Sequence, residues 1–446
     1  MNELLVKEKV VAYFSKLLEN KYEKNQEVPK FTDFFSPSYV KPSYNDKGFR
    51  LLDSVNGSSV RGYYHFDYSY FIDNFEYYEQ IVLIHHIDMD GELSADNMLE
   101  LQSALGYDQK IVTIPYNYKA DDNILTKKEI NYTLNTLIVI VDLSIPTILL
   151  QSLSSLGDIL IIDHHATSID FVSNIKYDNI ENNIQWIIDT RVSAAYLTEA
   201  FSLYIRDKLG IVLESDDTNG LLLSIIVSTY DTFNKNQYAL VYYTFGVYLN
   251  QYFNDMNMMN TYTDYWHNMK RLDEQSFMVI INNGKKLYDI QKEKNKLLYT
   301  SDYVYRYNYK DMTLSFLVGY GNSMRFCDYN TSVMGLLKIE DDNKYVVSLY
   351  SEDDKIKEFN LGRFLSEYFG GGGHPGAAGA AISKNDIVVK FIEYCKSHEG
   401  EEVFTHICEE NLIPANEKHP RFDSIIAFIT RAISIMIMTD ILSHEE

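Results

Sequence analysis

The feature that most constrains this chain is a series of short, almost continuous apolar runs, several of which end in aspartate or histidine. Ile81–Ile87, Ile111–Ile114, Leu137–Val141, Ile159–Ile162 and Leu222–Val227 have the length and composition of strands buried on both faces, as in a parallel sheet covered by helices. Ser193 predicts the N-cap of a helix with Leu197, Phe201 and Tyr204 along one face, and Gly210 suits its C-terminal stop. A doubly wound α/β domain over residues 81–245 is expected.

Upstream, residues 1–80 form an N-terminal extension. Tyr64, Phe66, Tyr68 and Tyr70 alternate strictly and predict a strand with an aromatic face. Residues 246–300 read as a polar, helical connector with the charged run GKKLYDIQKEKNK. Strand-like segments return over 301–395, including Lys344–Tyr350, and end in a glycine-rich run, giving a second, smaller α/β domain. Residues 396–446 read as a helical tail. Its apolar stretch Ile425–Met438 is shorter than a membrane span and contains Arg431, so a docking or oligomer helix is expected. This helix and the aromatic N-terminal strand are the candidate homodimer interfaces.

The acidic and imidazole groups fall at the ends of the apolar runs. The first run leads into His85-His86-Ile87-Asp88-Met89-Asp90-Gly91. The third ends at Asp142 of VDLS, the fourth at Asp163-His164-His165, and the last near Asp231 of STYDTF. Residues two apart share a strand face, so His86, Asp88 and Asp90 are expected to converge. Sites in open α/β sheets form at the carboxyl ends of strands. So many carboxylates desolvated together need a cation to balance them. Mixed carboxylate and imidazole donors without thiolate suit Mn2+ or Mg2+. Their number fits two ions sharing a bridging carboxylate, a standard arrangement for phosphoester cleavage.

The second informative segment is Gly370-Gly371-Gly372-Gly373-His374-Pro375-Gly376-Ala377-Ala378-Gly379-Ala380. Glycines let backbone N–H groups approach an anion closely, and a helix beginning at Ala-Ala-Gly would add a favourable dipole. A loop that binds a phosphate or a nucleotide end is expected.

Taken together, HIDMDG, VDLS, IDHHAT and YDTF, followed by FGGGGHPGAAGA, resemble the DHH phosphoesterase family with its DHHA1 substrate-binding lobe, over roughly residues 81–395. The resemblance implies metal ligands at His86, Asp88, Asp90, Asp142, His164 and Asp231, with Asp142 bridging two Mn2+ ions, or Mg2+ in their place. It implies that His165 sits beside the scissile phosphate, as ligand support, phosphate contact or acid, that Asp163 orients the histidine pair, and that Gly371, Gly372, Gly373 and His374 hold the nucleotide part of the substrate. The HxDxDG spacing is similar to the oligoribonuclease (small-oligonucleotide nuclease) branch. Strand parity makes His86 the ligand and turns His85 away. Where many DHHA1 lobes carry Ser-x-Arg-Ser, this chain has Ser348-Leu349-Tyr350-Ser351. Tyr350 can stack on a base or donate a hydrogen bond but supplies no charge, and Arg363 is the candidate replacement.

Charge then narrows the function. The 446 residues contain 40 basic and 63 acidic side chains, a formal net charge of -23. That disfavours long duplex or single-stranded nucleic acid, which is gripped by clustered Lys and Arg. The expectation is a Mn2+-dependent phosphodiesterase that converts short oligonucleotides to 5′-mononucleotides. A cyclic-dinucleotide phosphodiesterase and a 3′-phosphoadenosine phosphate phosphatase are the alternatives within the enzyme class, and an inactive nucleotide-binding protein is the alternative outside it. The three scattered cysteines, Cys327, Cys395 and Cys408, offer no disulfide framework or CxxC pair. The charged N-terminus MNELLVKEKVVAYF lacks a signal-peptide core. A cytoplasmic protein without membrane association is expected.

Overall fold

The computed structural model describes residues 42–45, 48–51, 62–116, 135–175, 183–190, 192–211, 215–232, 246, 247, 249, 262–271, 274–299, 304–318, 331–340, 343–351, 359–374, 376–412 and 424–443. Two compact units divide at Leu287 and Tyr288.

Among the described residues the first unit opens with an antiparallel pair, β1 (Pro42–Asn45) and β2 (Gly48–Leu51), followed by β3 (Gly62–His65) and α1 (Tyr68–Phe75). The expected aromatic strand therefore ends at His65. Asp67 overrides the alternation, because its side chain accepts from the Tyr70 N–H and starts a helix that takes in Tyr68 and Tyr70.

The main elements follow: β4 (Gln80–His86), α2 (Met89–Leu105), β5 (Lys110–Tyr116), β6 (Thr136–Val141), α3 (Thr147–Ser154), β7 (Asp158–Asp163), α4 (Ala166–Ser173), β8 (Ile184–Asp189), α5 (Ala194–Lys208) and α6 (Ser215–Asp231). Helices α7 (Tyr262–Lys270) and α8 (Glu274–Tyr299) come next, and the division between the units falls within α8. The sheet order is β3-β8-β7-β6-β4-β5. Strands β4 to β8 are parallel, and β3 adds antiparallel to β8 at the edge.

Alternate side chains of this sheet bury on opposite faces, which explains the near-continuous apolar runs. Leu83, Val139, Leu160, Ile162 and Ile187 join a core with α1, α2, α5 and α6. Val82, Ile84, Ile138, Ile140, Ile161 and Trp186 join another with α3 and α4. The chain leaves β4 for β5 on one side and returns to β6 on the other. The carboxyl ends of β4 and β6 therefore flank a topological switch point, where such sheets form their sites.

Two strand assignments change. Leu222–Val227 is the middle of α6 rather than a strand. Residues 222–229 are all buried, so the run is enclosed on every side and its apolar residues show no period that separates helix from strand. The fifth parallel strand is instead β8, IQWIID. Its apolar run is interrupted by buried Gln185, whose Oε1 accepts from the Asp67 N–H. Helix α5 is as expected: Ser193 is its N-cap, and Gly210 follows its end at φ 69°.

The second unit contains β9 (Val304–Tyr309), β10 (Met312–Val318), β11 (Val333–Ile339), β12 (Lys344–Tyr350), α9 (Leu361–Phe369), β13 (Gly372–His374), β14 (Ala377–Ser383), α10 (Lys384–Ser397), α11 (Glu402–Leu412) and α12 (Ser424–Ser443). Its sheet runs β13-β14-β12-β11-β10-β9, antiparallel except for the β10–β11 pair. The segment after the glycine run is strand β14, not a helix start, because Ala377 to Ser383 pair along β12. Helix α12 is not an exposed docking or oligomer helix. Ile429, Ile433, Met436, Ile437 and Met438 are fully enclosed in this unit's own core. Among the described residues no helix is long and apolar enough to cross a membrane.

Candidate metal centre

The β4–α2 junction places the first motif. Strand β4 stops at His86, and Asp88 becomes the N-cap of α2, its Oδ1 accepting from the Gly91 N–H at 3.0 Å. His86, Asp88 and Asp90 therefore do not converge by strand alternation. One is the last strand residue, one is the cap, and one lies in the first helical turn. Gly91 permits this tight reversal, since a Cβ there would lie 2.4 Å from the His86 carbonyl oxygen.

Asp142 follows β6 directly, with its backbone in the left-handed region at φ 56°. That is an unfavourable conformation for a non-glycine residue and recurs at functional sites. Asp163 ends β7, and His164 and His165 turn into α4. Asp231 is the last residue of α6 rather than the end of a strand.

These segments bring their side chains to one place. His86 Nδ1 lies 2.9 Å from Asp88 Oδ2 and 3.7 Å from Asp142 Oδ2. His164 Nε2 lies 3.0 Å from Asp142 Oδ1, 3.3 Å from Asp90 Oδ2 and 3.6 Å from Asp231 Oδ2. Asp142 thus touches both histidines. His86, Asp88 and Asp142 form one group with metal-ligating geometry, and Asp90, His164 and Asp231 form another. His165 Nδ1 bonds Asp163 Oδ1 at 2.8 Å, and the same oxygen accepts from the His164 N–H at 2.8 Å. The other oxygen of Asp163 accepts from the Ser168 hydroxyl.

The electrostatics show how unbalanced the centre is when only protein groups are counted. Burial pushes Asp90 up to about 8, with Asp231 and Asp88 adding repulsion. Asp142 is raised well above the carboxylate range by burial and by Asp90, Asp88, Asp163 and Asp231. Burial would also raise Asp163, but His165, His164 and Ser168 hold it below its ordinary value. Burial opposes protonation of His86, yet neighbouring Asp88 raises it on balance. Asp88 moves down in response, although its side chain is 48 % exposed and water screens the pair. A divalent cation would remove the repulsion among the raised carboxylates, and the carboxylate and imidazole donors suit it. The residues present therefore fit a metal pair.

His85 is buried and turned to other partners, its Nδ1 2.8 Å from the His86 carbonyl oxygen and 3.8 Å from Glu92 Oε1. Burial lowers its pKa. Two features of the centre escape the sequence motifs. One is Ser168, which fixes Asp163. The other is the start of α5, where the Ala194 and Ala195 N–H groups each donate to Asp90 at 2.9 Å. Ser193 marks that helix start in the sequence, but nothing there links it to Asp90, 103 positions earlier.

In the second unit, β12, β14 and β13 align Tyr350 with Ala377 and His374, and Ser348 with Gly379 and Gly372. Paired residues share a face, so Ser348, Tyr350, Gly372 and His374 lie together on one face of the sheet. All four are half-buried. Gly373 needs to be glycine: its φ is 135°, and a Cβ would meet the Ala377 carbonyl oxygen at 2.6 Å. Gly371 passes Gly379 as closely. Arg363 is exposed on the first turn of α9 and is not part of this row.

Residues 323–397 match the family model of the DHHA1 domain. No curated protein sequence matches the chain. Solved structures also resemble it, among them the following three. A DHH-domain member of the s1p family of ribosomal proteins is 16% identical over 72% of this chain and 88% of its own, with a TM-score of 0.48. RecJ in complex with Mn2+ from Thermus thermophilus is 11% identical over 74% of this chain and 54% of its own, at 0.42. The pGpG-specific phosphodiesterase PggH from Vibrio cholerae is 13% identical over 74% and 99%, at 0.33. At these TM-scores the likenesses carry no substrate or partner over to this chain.

Proposed function

We propose that this chain, whose residues 323–397 match the DHHA1 domain model, acts as a phosphoesterase of the DHH/DHHA1 type, a Mn2+-dependent phosphodiesterase that hydrolyses short oligonucleotides to 5′-mononucleotides. The observation that carries the proposal is the meeting of His86, Asp88, Asp90, Asp142, His164 and Asp231 from four separate segments within metal-ligating distance.

In this reading His86, Asp88 and Asp142 would hold one ion and Asp90, His164 and Asp231 the other, and Asp142, which approaches both His86 and His164, would serve both. When bound, such ions, Mn2+ or Mg2+, would supply an activated water and offset charge on the phosphate oxygens. The chain's own groups do the rest. Asp163 binds His165 Nδ1, which leaves His165 Nε2 to face a substrate phosphate and donate a proton. Ser168 and the His164 N–H hold Asp163 still, so the imidazole pair is oriented before substrate arrives.

The glycine hairpin, with Gly371, Gly372, Gly373 and His374, takes the nucleotide end, Ser348 and Tyr350 contact sugar or base, and exposed Arg363 is the candidate phosphate cation. The net charge of -23 favours a substrate gripped at one end over a long polymer. Free thiols at Cys395 and Cys408 fit a reducing cytoplasmic setting.

The test is a panel of a 5′-phosphorylated dinucleotide, longer oligonucleotides, a cyclic dinucleotide and 3′-phosphoadenosine phosphate, each with Mn2+ and with Mg2+. Fastest turnover of the dinucleotide supports the reading. Preference for either of the last two moves the substrate assignment to that compound.

A further inference from the structure

Behind the metal centre the first unit buries a charged network that its chemistry does not use directly. Lys270, at the end of α7, is 3 % exposed. Its Nζ donates to Asp96 Oδ2 at 2.6 Å, Glu100 Oε2 at 2.7 Å and Asn97 Oδ1 at 3.1 Å, all on α2. Burial would discharge it, but Asp96, Glu199 and Glu100 hold its pKa above the ordinary lysine value. Removing one partner from such a cluster strands the others in a poorly solvating interior.

The network continues through Asn97, which is fully enclosed. Its amide donates toward the Ala195 carbonyl oxygen at 3.0 Å, Thr198 Oγ1 at 3.2 Å and Ser224 Oγ at 3.3 Å. These acceptors lie on α5 and α6. Ala195 is also one of the two residues whose N–H groups hold Asp90. Just before it, the Ser193 N–H donates to Ser228 Oγ at 2.9 Å, and Ser228 lies three residues before Asp231 on α6.

One end of this network therefore bonds Asp90 directly and bonds the helix turn that carries Asp231 at Ser228. The other end is Lys270.

The geometry points to Lys270 as a positioning residue. Acting through Asn97, it locks the first turn of α5 against α2 and α6 and so sets the spacing of Asp90 and Asp231. This rests on the metal-pair reading above. It adds that one ion's site depends on α7, which supplies none of that ion's ligands. The bonds traced here lead to the Asp90 side of the centre rather than to the His86–Asp88–Asp142 group, so the two sites should respond differently to the loss of the network. Loss of outer partners of this kind typically weakens metal binding about ten- to a hundredfold.

The experiment is calorimetric Mn2+ titration of the full chain, with circular-dichroism melting, on wild type, the double variant Lys270→Met/Asp96→Asn, and Asn97→Ala. The double variant removes Lys270 together with its almost fully buried partner Asp96, and the remaining partner Glu100 is 39 % exposed to water. Asn97→Ala leaves Lys270 with Asp96 and Glu100. The expected result is cooperative melting with one Mn2+ equivalent weakened about ten- to a hundredfold and the other unchanged. Turnover at limiting Mn2+ should fall and recover at saturating Mn2+, with substrate KM unaltered. Two wild-type binding constants in either folded variant would overturn the proposal and reduce Lys270 to a packing role. Failure of both variants to fold would overturn it too, since the network would then serve stability alone. A wild type that binds no Mn2+ would instead remove the metal-pair reading itself.

Discussion

His164 Nε2 lies 3.0 Å from Asp142 Oδ1, with both side chains almost wholly enclosed. Both residues stand just beyond the ends of neighbouring strands, and they meet because β6 and β7 run parallel with Val141 opposite Ile162. Asp142 also approaches His86 from the next strand over, at 3.7 Å. One carboxylate thus ties three strand ends together, and the proposed division of labour in the centre turns on it.

Asp142→Ala should therefore abolish more than one ligand contact. Calorimetry should detect weakened Mn2+ binding at both sites. Steady-state turnover should fall by at least about a hundredfold, the usual scale for losing one preorganised electrostatic group.

His165→Ala separates proton transfer from metal binding. If His165 faces the phosphate while Asp163 holds its other nitrogen, kcat should drop by about 10²–10⁴-fold. The Mn2+ isotherm should keep both equivalents, because His165 is not among the proposed ligands.

Gly91→Ala tests the β4–α2 reversal. In an open helix this change is mildly stabilising. Here the new Cβ would lie 2.4 Å from the His86 carbonyl oxygen, and such overpacking costs about 1–3 kcal/mol. Thermal melting should show the loss, and Mn2+ affinity should fall as His86 and Asp88 are pushed apart.

Metal removal should leave a pH signature. Asp90 and Glu92 are both pushed up to about 8, mainly by burial, from an unfolded value of about 4. A carboxyl with a raised folded pKa binds its proton more tightly in the folded chain. Its stabilising contribution is complete below about pH 4 and is lost as pH rises to about 8. Melting of metal-free protein should therefore drop across that interval. Added Mn2+ should flatten the slope and raise the curve, because the ions replace the protons that relieve the repulsion.

Much of this was legible in the sequence because burial on both faces makes strands β4, β6 and β7 read as unbroken apolar runs, each leading straight into motif residues. Helix α6 was not legible, since the same signal arises from a helix enclosed on every side, and only its 17-residue length distinguishes it. Strand β8 hid behind Gln185. Asp67 broke an alternation that otherwise predicted a strand. The Gly-rich segment kept its expected residues together but built a hairpin, because β12 offered Ala377 onward a pairing edge. The tie between Asp90 and the Ala194 and Ala195 N–H groups is a tertiary contact with no local sequence signature.

The most direct test is product analysis of a 5′-phosphorylated dinucleotide incubated with wild-type protein and Mn2+, beside parallel reactions with EDTA and with Asp142→Ala. The account predicts 5′-mononucleotides as the product, formed only with the metal and the intact aspartate. No hydrolysis of the dinucleotide, of a cyclic dinucleotide or of 3′-phosphoadenosine phosphate under these conditions would contradict it, as would hydrolysis that persists unchanged in EDTA.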